Sequence, residues 1–168
     1  APELGGLLAQ QADGLVRKGI AVLRYDKRGV GLSGGARDPK STTDDYASDA
    51  RAAARFLRIQ PEIDPARVGI IGHSEGGIIA PMVAADEPDT AWIVLLAGTG
   101  LPGADVQILQ DAAIARAEGA DERTVQALEK LDRAFFPKII ATNDDAEALK
   151  MLHAAERDVL TAEEKKLL

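Results

Sequence analysis

The sequence predicts an α/β fold in which helices cover a parallel sheet, and two observations lead to that expectation. Short runs rich in β-branched residues alternate with longer segments of helical periodicity up to about residue 104. Such alternation is typical of right-handed βαβ crossovers, which place helices on both faces of a parallel sheet. Beyond residue 104 the strand signal disappears and helical patterns continue. We therefore predict an incomplete sheet region at 1–104 and a helical region at 105–168.

Three apolar runs have the length and composition of buried parallel strands, namely 20–25, 68–72 and 91–97. A helix is predicted before the first run, at 4–17, because leucines recur on one of its faces and Gly19 can end it.

The second helical pattern follows Ser41, Thr42 and Thr43. Asp44 and Asp45 lie in its predicted first turn, where carboxylates interact favourably with the positive end of the helix dipole. The positions expected to face the sheet share the helical period and are Tyr46, Ala50, Ala53, Ala54 and Leu57.

Four further helices are predicted at 105–118, 122–136, 144–157 and 162–168. Pro137 should follow the end of the second of these helices, and Thr161 with Glu164 forms a capping box for the last. Apolar residues that recur at helical spacing should form a cap near the C-terminal edge of the sheet; they are Ile108, Leu109, Val125, Leu128, Leu131, Leu149 and Leu152.

Composition excludes several classes of function. The net charge of −7 comes without a cluster of Lys and Arg, so a nucleic-acid partner is not expected. The chain has no cysteine and two histidines, so neither a metal site nor a cofactor is expected. No apolar run is long enough to span a bilayer, so no membrane partner is expected. The compartment stays open, with the cytoplasm favoured.

The run at 68–72 leads directly into Gly72-His73-Ser74-Glu75-Gly76-Gly77, and a helical run follows. This G-x-S-x-G pattern between a strand and a helix is the context in which a serine becomes an exposed nucleophile. The turn is so tight that the serine should have positive φ, and Gly72 and Gly76 should be needed beside it. We therefore predict Ser74 as the nucleophile and the backbone N–H of Glu75 as an oxyanion donor.

These residues resemble the α/β-hydrolase superfamily, in particular its esterase and serine-aminopeptidase-like members with Gly-His-Ser-Glu-Gly-Gly at the nucleophile. Residues 20–33 are similar to the fourth strand and following loop of that family, and 63–67 to its approach to the nucleophile strand. Residues 93–103 resemble its sixth strand and the exit into a helical cap. The resemblance implies a three-layer parallel sheet of the α/β-hydrolase type, incomplete in this chain, with a cap-like helical region.

The resemblance also implies that parts of the catalytic machinery lie outside this sequence. Family members have a His-Gly oxyanion loop after the third strand, an acid usually after the seventh and a histidine after the eighth, and no residue here matches those positions. Asp105 is an alternative acid, although helix capping is its expected role. His153 lies in a helical stretch without the loop that a catalytic histidine needs, and the side chain of His73 should project away from Ser74.

The loop after the first predicted strand has a structural interpretation. Asp26 and Arg28 are expected to brace the Gly29-Val30-Gly31 loop by hydrogen bonds. Residues 29–34 have a formal G-x-G-x-x-G pattern, but the residues that follow them break the helix that a dinucleotide site needs.

The sequence therefore predicts a serine hydrolase that acts on carboxylic esters, or on peptide or thioester bonds, through an acyl-enzyme at Ser74. The expected partner is a small ester or a short peptide as substrate. The alternative is a non-catalytic fragment or interaction module that retains the strand–turn–helix motif without a base. A sheet with unpaired edges should also self-associate unless another chain covers those edges.

Overall fold

The computed structural model describes residues 4–35, 40–140, 142 and 144–168. The chain divides into two compact units, Ala1–Thr99 and Gly100–Leu168. The first unit contains helices α1 (Leu4–Val16), α2 (Thr43–Arg58) and α3 (Gly76–Asp86), a short 3₁₀ helix and strands β1 (Ile70–His73) and β2 (Ile93–Leu96). The second contains α4 (Gly103–Ala117), α5 (Glu122–Ile139), α6 (Asp145–Val159) and a 3₁₀ turn at Glu164–Lys166.

Helix α2 begins where its capping residues predict. The side chain of Thr42 accepts a hydrogen bond from the Asp45 N–H, and the Asp45 carboxylate accepts one from the Thr42 N–H. This reciprocal pair satisfies two N–H groups that would otherwise have no partner at the helix start.

The strands β1 and β2 are parallel neighbours, in a register that pairs Ile70 with Ile93. Helix α3 connects them, as expected for a βαβ crossover. The buried core of this unit lies between α2 and α3, where Ala47 and Ala50 meet Ile79 and Val83. The buried face of α2 thus packs largely against α3, whereas the sequence predicted contact with the sheet; Ile70 of β1 packs against the same cluster.

Of the three predicted strands, the first, at 20–25, was wrong for the described chain. These residues are not assigned to a strand, and the backbone N–H groups of Ala21 to Tyr25 donate no hydrogen bond to any described residue. A cavity of about 750 Å³ is lined both by this segment and by Gly69 and Ile71 beside β1. A strand is defined by pairing with a neighbour, and this segment has none.

The second unit is helical, as predicted, with two corrections. Pro137 lies inside α5, which continues to Ile139, so the proline does not end that helix. The helix predicted at 162–168 is a single 3₁₀ turn, although its capping box forms between Thr161 and Glu164. Within this unit α5 packs against both α4 and α6. Whether the unit covers the sheet edge stays a prediction.

Among the described residues, no helix combines the length and the apolar character needed to cross a lipid bilayer. The described side chains likewise contain no group of three or more acidic or histidine residues arranged to hold a metal ion.

Candidate active site at the turn between β1 and α3

Ser74 lies in the turn between the last residue of β1 and the first residue of α3. Its φ is +54°, a left-handed conformation that costs a residue with a side chain about 1 kcal/mol or more. The backbone holds it there, because the Ser74 N–H donates to the Leu96 carbonyl at 3.0 Å and its carbonyl accepts from the Gly77 N–H at 2.8 Å. The residue is exposed. The spacing of the surrounding glycines predicted this geometry.

The glycines that the turn needs are only partly those that the sequence indicated. A Cβ at Gly72 would overlap the carbonyl oxygen of Gly76, so Gly72 is required as predicted. A Cβ at Gly76 would meet no atom within 4 Å, so Gly76 is not required for space. The second requirement falls on Gly77, where a Cβ would overlap the Cα of Gly98. The motif predicted the tight turn but not this contact with the segment after β2.

The start of α3 presents backbone donors next to Ser74. No described residue accepts a hydrogen bond from the N–H of Glu75 or of Gly76, and Glu75 makes no side-chain cap. Unpaired N–H groups at a helix N-terminus attract an oxyanion, and the helix dipole adds to that attraction. These donors fit the oxyanion position predicted for Glu75.

The side chain of Glu75 is held by two other elements. One carboxylate oxygen accepts a hydrogen bond from Lys27 Nζ at 2.8 Å, and the other accepts one from Thr43 Oγ1 at 3.2 Å. The Lys27 ammonium also lies 4.4 Å from the centre of the Tyr46 ring. Sequence reasoning missed this network, because Lys27 and Thr43 are 48 and 32 residues from Glu75 and no local pattern links them.

Asp26 braces the glycine loop as predicted, whereas the prediction that Arg28 does so was wrong. Asp26 accepts a hydrogen bond from the Leu32 N–H at 3.2 Å, which braces the glycine loop. Arg28 reaches α2 instead, where it donates two hydrogen bonds to the Asp49 carboxylate at 2.8 and 2.7 Å. The bidentate contact, together with Asp45, raises the pKa of the Arg28 guanidinium.

No base contacts Ser74 among the residues that the structure describes. The Ser74 hydroxyl forms no hydrogen bond to them, and His73 precedes it on β1 as a half-buried residue. His153 lies on α6, exposed, with Nδ1 3.6 Å from the Glu156 carboxylate. Asp105 is exposed in the first turn of α4, whose N-cap is Pro102, so its expected capping role at that position is not observed.

A second strained residue lies at the end of β2. Ala97 has φ of +51°, and within the described chain only Ala97 and Ser74 combine a side chain with positive φ. Both residues follow the last residue of a parallel strand, so the strain is concentrated at the C-terminal edge of the sheet. Sequence reasoning did not indicate Ala97, because alanine carries no preference for this conformation.

Comparison with known proteins shows the family of this chain. A family model described as serine aminopeptidase, S33, matches residues 3–157. The chain belongs to that family. As a serine aminopeptidase S33 member it is also a member of the α/β-hydrolase superfamily, as the resemblance implied, and the two parallel strands are part of that fold.

Curated relatives of this S33 family chain include three hydrolases. It is 31% identical to esterase EstD of Thermotoga maritima over 131 residues, which are 75% of the chain and 30% of that protein. It is 31% identical to the putative carbamate hydrolase RutD of Variovorax paradoxus over 124 residues, 71% of the chain and 44% of that protein. It is 30% identical to thiohydrolase apmlB of Arthrinium phaeospermum over 96 residues, 57% of the chain and 31% of that protein.

The chain spans less than half the length of each of these relatives. An uncharacterized protein of Mycobacterium tuberculosis, 35% identical over 86 residues, is likewise matched over 29% of its length. No solved structure matches the chain.

Proposed function

We propose that Ser74 is the nucleophile of a serine hydrolase that cleaves carboxylic esters through an acyl-enzyme. The observation that carries the proposal is the exposed Ser74 at φ +54°, between a parallel strand and a helix whose first N–H groups have no described partner. Family membership and hydrolase relatives support the reaction class. An ester substrate is supported by the esterase among them, and thioester and peptide bonds are the neighbouring classes.

The reaction would proceed in two steps at this turn. The Ser74 oxygen attacks the ester carbonyl while a base takes its proton, and the tetrahedral oxyanion forms beside the Glu75 N–H. The C–O bond to the alcohol then breaks, the alcohol leaves with the proton, and water releases the acid from the acyl-serine by the reverse sequence. The Lys27–Glu75–Thr43 contacts hold the side chain of Glu75, which keeps the donor residue fixed.

The base and acid are expected in sequence outside these 168 residues, because none of the described residues forms a hydrogen bond with the Ser74 hydroxyl. The active enzyme would then be a longer gene product that contains this chain. This also accords with the length of the relatives, of which the chain covers 29 to 44%.

The test is hydrolysis of p-nitrophenyl acetate by that longer gene product, with Ser74→Ala and Ser48→Ala as a matched pair. Ser48 is an exposed serine on α2, so its substitution removes the same hydroxyl elsewhere. Ser74→Ala should lower kcat by about 10³-fold or more, because the nucleophile is lost. Ser48→Ala should retain activity. Full activity in Ser74→Ala would contradict the proposal and favour the non-catalytic module.

A further inference from the structure

We propose that Lys27 neutralises the carboxylate of Glu75 and thereby shields the oxyanion position beside Ser74 from a negative charge. The contact that carries the inference is the ion pair between Lys27 Nζ and a Glu75 carboxylate oxygen, at 2.8 Å. The inference rests on the proposed function, because it assigns Lys27 a part in the reaction at Ser74. Lys27 acts through Glu75 and not through a contact with the substrate.

The backbone and the side chain of Glu75 have opposite effects on an oxyanion. Its N–H at the start of α3 has no described partner and attracts negative charge. Its carboxylate repels negative charge, and it can lie no further than about 11 Å from the Ser74 hydroxyl, because the two residues are consecutive. That distance is comparable to the Debye length of about 10 Å at 0.1 M salt, so the charge is only partly screened.

The carboxylate of Glu75 is held in a defined place, where its side chain is 38% exposed. Thr43 Oγ1 donates a hydrogen bond to its second oxygen at 3.2 Å, but a hydroxyl supplies no countercharge. Lys27 supplies one, and the Tyr46 ring, 4.4 Å from the ammonium, helps to fix its position. Loss of the Lys27 charge would therefore leave an uncompensated carboxylate next to the oxyanion position.

A role in charge compensation and a purely structural role predict effects of different sign. If the ion pair only held α3 in place, the loss of either partner would weaken the same contact and lower activity. If Lys27 compensates charge, its loss leaves a negative charge that opposes the oxyanion, whereas loss of the Glu75 charge leaves a positive one that favours it. An uncompensated carboxylate should also attract a cationic substrate.

The experiment measures kcat/KM of the longer gene product for two esters of the same shape. The neutral ester is meta-tert-butylphenyl acetate, and the cationic ester is meta-(trimethylammonio)phenyl acetate. Lys27→Met should lower kcat/KM for the neutral ester by about fivefold, and Glu75→Gln should raise it by about twofold. The double variant Lys27→Met/Glu75→Gln should recover most of the loss, although the ion pair is absent from it.

The charge of the substrate and the salt concentration give two further readouts. The ratio of kcat/KM for the cationic ester to that for the neutral ester should rise about fivefold in Lys27→Met and fall in Glu75→Gln. In 1 M salt, where the Debye length is about 3 Å, these differences should become small. Lys18→Met is the matched control, because it removes an exposed lysine before the segment 20–25. It should keep the parent values for both esters.

Three results would overturn the inference: equal losses in Lys27→Met and Glu75→Gln, no recovery in the double variant, or an unchanged ratio between the two esters. The raised kcat/KM of Glu75→Gln is a readout that does not require Lys27→Met to fold. Ser74→Ala separates this failure from that of the proposed function. Full activity in Ser74→Ala contradicts the proposed function, whereas Ser74-dependent activity with any of the three results contradicts only the role of Lys27.

Discussion

At the scale of single residues, the candidate site depends on where a Cβ does not fit. Gly72 lies against the carbonyl of Gly76, and Gly77 lies against Gly98, so these approaches leave no room for a methyl group. Both contacts flank Ser74. Its positive φ is unfavourable for a residue with a side chain, so the surrounding backbone must stabilise it. The glycines therefore stabilise the strained turn by permitting close packing, and Gly98 shares that role from the segment after β2.

Substitutions of these glycines should distinguish the cost of a steric overlap from the general cost of replacing a glycine in this turn. Gly72→Ala and Gly77→Ala should each lower the free energy of unfolding by about 3 kcal/mol or more, because the new methyl overlaps backbone atoms. Gly76→Ala is the matched control in the same turn. It should change stability by less than about 1 kcal/mol, because its Cβ meets open space. Urea denaturation measures all three, and an equal loss in Gly76→Ala would contradict the packing argument.

A second residue-scale feature is Asp132, which is 7% exposed on α5. Its Oδ2 atom is buried and has no hydrogen-bond partner among the described residues. Burial, together with the nearby charges of Asp111 and Glu129, raises its pKa from 3.8 to about 6. The folded protein therefore favours the protonated form of Asp132 more than the unfolded chain does, and the ionised form destabilises the fold at neutral pH.

The raised pKa predicts a dependence of stability on pH. The folded state binds the Asp132 proton more tightly than the unfolded state does, so stability should fall as pH rises from about 4 to 6 and then level off. Asp132→Asn should remove this part of the dependence and raise stability at pH 7.5 by about 2 to 3 kcal/mol. Thermal unfolding of the protein and of Asp132→Asn from pH 4 to 8 measures this dependence of stability on pH. Glu118→Gln, an exposed substitution on the same unit, serves as the control. An unchanged profile in Asp132→Asn would contradict the prediction.

At the scale of elements, helices were predicted more accurately than strands. The start of α2 follows from local residues, because its capping box needs only Thr42 and Asp45. Residues 20–25 have the composition of a strand, but a strand also needs a neighbour, which no local pattern can supply. Pro137 failed as a stop signal because α5 continues past it to Ile139; the proline removes one backbone hydrogen bond of the helix but does not end it.

The two capping boxes offer a matched comparison at this scale. Thr42→Ala should cost about 1 kcal/mol, because Thr42 caps a 16-residue helix whose face forms the core of the first unit. Thr161→Ala removes the same hydroxyl from a 3₁₀ turn of three residues, so it should cost less than about half as much. Chemical denaturation of both variants measures the loss in the free energy of unfolding. Equal losses of stability would contradict the prediction, because they would show that the cost depends on the capping hydrogen bond alone and not on the length of the helix that it caps.

At the scale of the whole molecule, the sequence could predict the turn that contains Ser74 but could not indicate a base or an acid for it. The strand–turn–helix motif is local, so six consecutive residues indicate its geometry. A base and an acid are brought to a nucleophile by tertiary structure, and neither His153 nor Asp105 lies in a pattern that indicates such a role. The Lys27–Glu75 contact was missed for the same reason, since its partners are 48 residues apart.

The last prediction is that the 168-residue chain alone does not hydrolyse esters at an enzymatic rate. A serine hydroxyl is a weak nucleophile until a base takes its proton, and the Ser74 hydroxyl forms no hydrogen bond to a described residue. One expected oxyanion donor would also be absent, a loss typically of about 10² to 10³ in kcat. The backbone groups of 21–25, which line the 750 Å³ cavity beside β1, are also unpaired, so β1 should be less stable in this chain alone.

The measurement compares p-nitrophenyl acetate hydrolysis by this chain, by the longer gene product and by Ser74→Ala of each. The short chain and its Ser74→Ala variant should be equally slow, at least about 10³-fold below the longer protein, because the base and its orienting acid act as one unit with the serine. Ser74-dependent turnover of the short chain at the rate of the longer protein would contradict this prediction. Asp105→Asn and His153→Gln would then be the variants to assay, because these residues would be the candidate acid and base within the chain.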